Sequence, residues 1–274
     1  RCLQYIQSNH LPVPFLFQDL YQGGKRKVGK KQSQDKSHDT TDGNLKRSRK
    51  KGYLVGLKSH LDSCPEWPNW KFSVQIKVKL VKKNEDQSEE ESVKVNAEIN
   101  LIQAATIRRD IEQVKTITGI ALNRKDGEKI FDKLLKEKMT CTLLDELKEK
   151  GWDLPSHITQ NCSWILDATA VHLASCWHVE SLVHFLEFDE QLINIQTDSS
   201  IFTPLHVASV EEEPRCISLL IRNEADVNAR NSFGQTPLHI AAQHGSINNV
   251  ISLIFEGDAD VLANTTDTAV TSSV

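Results

Sequence analysis

No apolar run in this sequence is long enough to cross a membrane as a helix. The longest near its start is Val13–Phe17, where about 20 residues are needed. No basic-then-apolar leader opens it, so no secretory signal is read from it. It begins at Arg1, has a single methionine, Met139, and is read as an interior piece of a longer protein. Paired cysteines are also missing. Cys2, Cys64, Cys141, Cys162, Cys176 and Cys216 are scattered without regular spacing, which excludes a small disulfide-held scaffold. Reduced thiols and an intracellular setting, cytoplasmic with a share in the nucleus, are expected. The glycosylation sequons at Asn161 and Asn264 are then chance matches.

Recognisable catalytic patterns are absent too. There is no nucleophile elbow, Gly-rich dinucleotide turn or paired-metal carboxylate motif. Gly23–Gly24 before Lys25 lacks the Ser/Thr and the flanking strand of a phosphate loop. His172, Cys176 and His178 lie close together, with His172 and Cys176 on one helix face. No second Cys/His pair stands at zinc-like spacing, however. The expectation is a protein that is not an enzyme and has neither metal nor cofactor.

The net charge of −4 hides a strong segregation. Residues 23–52 carry eleven Lys/Arg against three Asp, whereas residues 151–274 carry three Lys/Arg against sixteen Asp/Glu. Residues 1–52 have little to bury after "LPVPFLFQDLY" and read as a disordered basic linker. Its two clusters, Lys25–Arg26–Lys27 and Lys46–Arg47 with Arg49–Lys50–Lys51, fit either a nuclear-import signal or a charged solvated tail.

Residues 53–99 hold two alternating runs. Phe72, Val74, Ile76, Val78 and Leu80 form the first, and Val93, Val95, Ala97 and Ile99 the second. Period-two patterning predicts a short β-hairpin. Two strands alone are marginal in water, so the pair is expected to lean on Trp67, Trp70 and the helices beyond.

From residue 100 the period changes to that of a helix. Ile102, Ala105, Ile111, Val114 and Ile117 mark one helix pair. Ile130, Phe131 and Leu134, followed by Leu143, Leu144 and Leu147, mark a second over 126–151. Then the chain repeats itself openly. "FTPLHVASVEEE" from Phe202 is answered by "GQTPLHIAAQHG" from Gly234, with Thr203 and Thr236 33 positions apart. The threonine caps a helix, the proline sits where its missing N–H costs nothing, and Gly245 ends the helix. The second helix of that copy is expected to bury Ile247, Val250, Ile251 and Ile254. No such pair buries its apolar face alone, so a period near 33 means stacking.

At these residues the chain resembles the ankyrin-repeat family. Thr-Pro-Leu-His stands at Thr203–His206 and Thr236–His239, with a decayed Thr169–Ala–Val–His172 34 positions before Thr203. "EADVNARN" and "GDADVLAN" match the family's repeat ends. The implied fold is mainly α, a solenoid of helix–turn–helix units over 100–274. About five repeats are expected, clearest over 167–266, with the opening of a sixth from 267. Ile201 and Glu212 stand where the other copy has Gly234 and Gly245, which predicts a distorted hairpin and inter-helix turn.

The resemblance implies a structural, hydrogen-bonding role for His172. It also implies a concave protein-binding surface of hairpin tips and first helices. In this register that surface comprises Trp177, Ile201, Phe202, Val210, Phe233, Gln235 and His244, with the three aromatics as anchors. The expected function is a protein–protein interaction scaffold. The partner would carry a basic surface or peptide, and nucleic acid is disfavoured because like charges repel. Two alternatives remain. One is a nuclear signalling or transcription regulator of inhibitor-of-kappa-B type; the other is the ankyrin part of a larger enzyme, channel or toxin.

Overall fold

A computed structural model of the chain describes residues 54–83, 88–142, 163–210 and 214–265. The side chains of 76–95 and of Trp177 lie outside the described set. The basic segment, residues 143–162 with Leu143, Leu144 and Leu147, Glu212, and the repeat opening after 266 also lie outside it.

Residues 54–63 are helical and turn Leu57 and Leu61 inward, four apart on one face. A 3₁₀ turn, Trp67–Asn69, follows with Trp67 fully buried. β1 (Phe72–Lys83) and β2 (Ser88–Ile99) pair antiparallel, from Phe72 opposite Ile99 to Lys83 opposite Ser88. Phe72, Val74, Ala97 and Ile99 are buried, as alternation requires. The sheet has a third strand that the sequence did not announce: β3 (Thr140–Cys141) pairs with β2 through Ala97–Cys141 and Glu98–Thr140.

The helices begin directly where β2 ends. They are α1 (Leu101–Ile107), α2 (Ile111–Leu122), α3 (Gly127–Lys136), α4 (Ala170–Trp177), α5 (Val179–Phe188), α6 (Pro204–Ala208), α7 (Pro214–Arg222), α8 (Pro237–His244) and α9 (Ile247–Phe255). First helices stack in the order α1, α4, α6, α8, and second helices in the order α2, α5, α7, α9. Among the described residues, four antiparallel pairs therefore form one solenoid. Its apolar core runs without a break from Leu57 to Ala259 and includes the small residues Ala105, Ala174, Ala208 and Ala241, which let first helices approach closely.

The pair expected over 126–151 enters the structure differently. Its first half is α3, after which the chain runs into β3. α3 packs against α1, α2 and α4, and α1 meets α4 directly. Residues 126–168 thus interrupt the repeat without adding a described layer between α1 and α4. The turn ahead of β1 is tied to the helices: Arg124 Nη2 donates to the Pro65 carbonyl at 2.9 Å, and Lys133 Nζ to Asn69 Oδ1 at 2.9 Å.

The last pair departs from its expected pattern. Val250 and Ile254 are half-buried, but Ile247 and Ile251 face solvent. Asn249, Ser252 and Leu253 take the buried positions. α9 is apolar on nearly every side, so spacings of three and four fit two faces equally well.

Candidate interaction surface

Each first helix is started by a reciprocal cap. The backbone N–H groups of Thr169, Thr203 and Thr236 donate to Nδ1 of His172, His206 and His239 at 3.3, 3.2 and 3.2 Å. The threonine hydroxyls reach the same nitrogens at 2.9, 2.9 and 2.8 Å. With Nδ1 accepting, Nε2 carries the proton and points at the next layer. His172 Nε2 donates to the Phe202 carbonyl at 2.9 Å, and His206 Nε2 to the Gln235 carbonyl at 3.0 Å. Each acceptor is the residue just before the next cap. Burial lowers the pKa of His172 and of His206 to about 4, because a buried imidazolium loses its hydration.

The same joint recurs at the start of the stack with different residues. The Asn100 N–H donates to Gln103 Oε1 at 2.8 Å, and the Gln103 N–H to Asn100 Oδ1 at 2.9 Å. Gln103 Nε2 donates to the carbonyl of Ala168, the residue before Thr169, at 3.3 Å, and to that of Glu137 at 2.7 Å. Asn100–Leu–Ile–Gln–Ala–Ala105 is therefore the counterpart of Thr236–Pro–Leu–His–Ile–Ala241. Its place before a small-residue helix was the available signal; its residue types concealed it.

The surface residues expected from the sequence divide. Phe202 is 0% exposed, its ring 5.5 Å from that of His206. Val210 and Gln235 are also buried. These three are core and joint residues rather than free contacts, since the segment before each cap is clamped between layers. Gln235 Oε1 accepts from Asn231 Nδ2 at 3.1 Å, and its Nε2 donates to Gln243 Oε1 at 3.3 Å. Phe233 is half-buried against the core, and His244 is half-buried with its pKa lowered to about 4 by desolvation. Among the described members of the set only Ile201 is exposed, at 39%. The Trp177 side chain lies outside the described residues.

Ile201 does not distort its hairpin. It adopts φ 56°, close to the 72° of Gly234 in the next layer. A β-branched residue in this left-handed region costs about 1–2 kcal/mol. The hairpin holds it there by other means. Thr197 N donates to the Phe202 carbonyl at 3.0 Å, Phe202 N donates to Thr197 Oγ1 at 3.0 Å, and Asp167 accepts from the N–H of Asp198 and Ser199.

The histidine–cysteine cluster has other partners. Both ring nitrogens of His172 are engaged as above, His178 Nδ1 meets Ser181 Oγ at 2.6 Å, and His178 Nε2 lies 3.3 Å from Glu180. Among the described residues no group of three His, Cys, Asp or Glu is placed to hold a metal. None of the described helices is long and apolar enough to cross a membrane.

Capped helix pairs whose first helices are joined by histidine-to-carbonyl bonds define a repeat-built solenoid. The family model of ankyrin repeats matches residues 171–265 in three copies, and this part of the chain belongs to the ankyrin-repeat family. Ankyrin repeats are protein–protein interaction modules. Similar proteins include the target of rapamycin complex 2 subunit AVO2 of Saccharomyces cerevisiae, 33% identical over 100 residues, which are 36% of this chain and 23% of that one. Ankyrin repeat protein OPG189 of vaccinia virus is 36% identical over 87 residues, 31% of this chain and 15% of that one. NF-kappa-B inhibitor alpha of Gallus gallus is 37% identical over 62 residues, 23% of this chain and 19% of that one. The match spans less than a quarter of the length of each of these relatives.

Proposed function

We propose that this chain is an interaction scaffold whose acidic ankyrin array receives a partner with a basic surface or basic peptide. The observation that carries this reading is the charge of the array, with three Lys/Arg against sixteen Asp/Glu over 151–274. Most of its described carboxylates are at the surface: Glu180, Glu187, Glu190, Asp198, Glu224, Asp226, Glu256, Asp258 and Asp260 are exposed, while Asp167 and Asp189 are half-buried. Such a field steers cationic partners and is weakened by salt. Ile201 and half-buried Phe233 remain as contact residues on the hairpin side, with Trp177 proposed from its position at the end of α4.

The test is to immobilise the full chain, present a cell lysate at low ionic strength and elute with rising salt. Partners with basic segments, released by salt, are expected. Partners without such segments, or binding indifferent to salt, would sink the reading.

A second reading, a nuclear regulator of inhibitor-of-kappa-B type, is favoured by the similarity to NF-kappa-B inhibitor alpha. It draws also on the basic clusters Lys25–Lys27 and Lys46–Lys51 as an import signal. A reporter fused to residues 23–52 that stays out of nuclei would remove its import part. An ankyrin segment also suits a larger enzyme, channel or toxin, which the neighbouring sequence would reveal.

A further inference from the structure

The strap between α3 and β3 is anchored from inside and paired at its surface. Met139, 1% exposed, donates its N–H to the Ala168 carbonyl at 2.9 Å. The Glu137 carbonyl accepts from buried Gln103 at 2.7 Å, and Glu137 Oε2 from buried Asn100 at 2.9 Å. These bonds fix the backbone of 137–139 against the joint between α1 and α4. On either side of Glu137 the strap carries a lysine that reaches the array. Lys136 Nζ lies 3.3 Å from Asp189 Oδ2, just past the end of α5, and 2.6 Å from Asp132 Oδ1. Lys138 Nζ pairs with Asp198, in the hairpin ahead of α6.

At these two contacts the lysine-bearing part of the chain meets the acidic array. Residues 151–274 contain no lysine and three arginines, so the cations that reach Asp189 and Asp198 come from outside that stretch. The Asp198 side chain is 77% exposed even when paired, which leaves it open to exchange. Its neighbour Asp167 is already engaged, accepting from the Ser199 N–H at 2.8 Å and from Ser199 Oγ at 2.8 Å. An ion pair at such a surface is individually weak. A lysine on an anchored backbone nevertheless faces its carboxylate at a high effective concentration, which a diffusing cation must overcome.

We propose that the strap is an internal competitor for the basic partner. Lys136 and Lys138 hold Asp189 and Asp198, and a lysine or arginine of the partner gains these carboxylates only by displacing them. This rests on the acidic-array reading and adds regulation to it: the affinity of the array for basic segments is set in part from within the chain.

The test titrates the full chain with a fluorescein-labelled peptide of alternating lysine and glycine, read by anisotropy at low ionic strength. The strap variant Lys136→Gln, Lys138→Gln is compared with a control of equal charge, Lys125→Gln, Lys129→Gln, which alters two exposed lysines at the start of α3. Circular dichroism and urea midpoints check that both stay folded. The single variant Lys138→Gln is a milder form that should show part of the same gain. The strap variant is expected to bind the peptide about three- to tenfold more tightly than the control. That difference should shrink when Asp198→Asn is added to both, and again at high salt. Equal affinity of the two variants, with binding weakened by salt, would overturn the competition and leave the acidic-array reading standing. Binding indifferent to salt in every protein would overturn that reading as well. A gain undiminished by Asp198→Asn would come from charge elsewhere in the chain and would also overturn the proposal.

Discussion

The first layer of the stack and the third make the same joint from different residues. In the third, Thr203 and His206 cap α6, and the imidazole reaches the Gln235 carbonyl. In the first, Asn100 and Gln103 cap α1, and the Gln103 amide reaches Ala168. Both side chains offer one acceptor to the cap and one donor to the neighbouring layer. The required feature is therefore a short buried side chain with those two functions, and Thr-Pro-Leu-His is only one way of writing it. The two versions differ in one property: the histidine titrates near neutrality when released, and the amide does not.

That difference gives the largest expected effect. His172 and His206 have pKa values lowered from 6.5 to about 4 in the folded chain. Unfolded histidines bind protons first as pH falls. The stabilisation is thus complete above about 6.5 and is lost progressively down to about 4. Between pH 8 and pH 5 each contributes a loss of about 2 kcal/mol, read from urea midpoints at the two pH values. His244, lowered to about 4 as well, adds to the same dependence. His206→Gln, which copies the amide joint of Gln103, should remove the share of His206, about 2 kcal/mol. An undiminished dependence would break the comparison.

His206→Leu should be more damaging at neutral pH than His206→Gln. It leaves the Thr203 N–H unpaired in a buried place and takes from the Gln235 carbonyl one of its two bonds, the Asn231 N–H still donating to it at 3.0 Å, at a cost of about 2 kcal/mol. Asn100→Ala should cost about 1–2 kcal/mol by removing the cap of α1. The Asn100 bond from Nδ2 to the Leu134 carbonyl at 2.9 Å is lost with it. Denaturant unfolding of the three variants side by side measures whether the amide and imidazole joints are equally strong.

Much of the solenoid could be read from spacing, because Thr203 and Thr236 preserve both the cap and the proline. Other parts could not be read so. Asn100 and Gln103 perform the work of the signature without sharing its residues. Between Asn100 and Thr169 lie 69 positions instead of 33 or 34. Apolar spacing alone placed a helix pair over 126–151; the described residues there form α3 and a two-residue strand, and residues 143–162 lie outside the described set. β3 is too short to leave a periodic pattern. The proposed contact surface was harder still: register placed Phe202 and Gln235 beside the hairpin tips but did not reveal that the segment before each cap is gripped by the preceding layer. The apolar stripe of α9 was read as core for the related reason that periodicity reports amphipathicity, not which face meets a neighbour.

The two hairpins offer the finest comparison. Gly234 takes φ 72° without a steric penalty, while Ile201 takes φ 56° against one. Ile201 is also the one expected contact residue, among those described, that is exposed, so its strained backbone holds an apolar side chain at the hairpin tip. If the position served stability alone, glycine would be the better residue. Ile201→Gly should therefore raise stability by about 1 kcal/mol, the relieved strain being partly offset by the greater freedom of unfolded glycine. The same substitution should weaken any partner that grips the hairpin side. Urea unfolding beside a binding assay with a basic peptide on this variant separates the stability effect from the contact effect. A loss of stability would mean that Ile201 contributes packing that outweighs its strain.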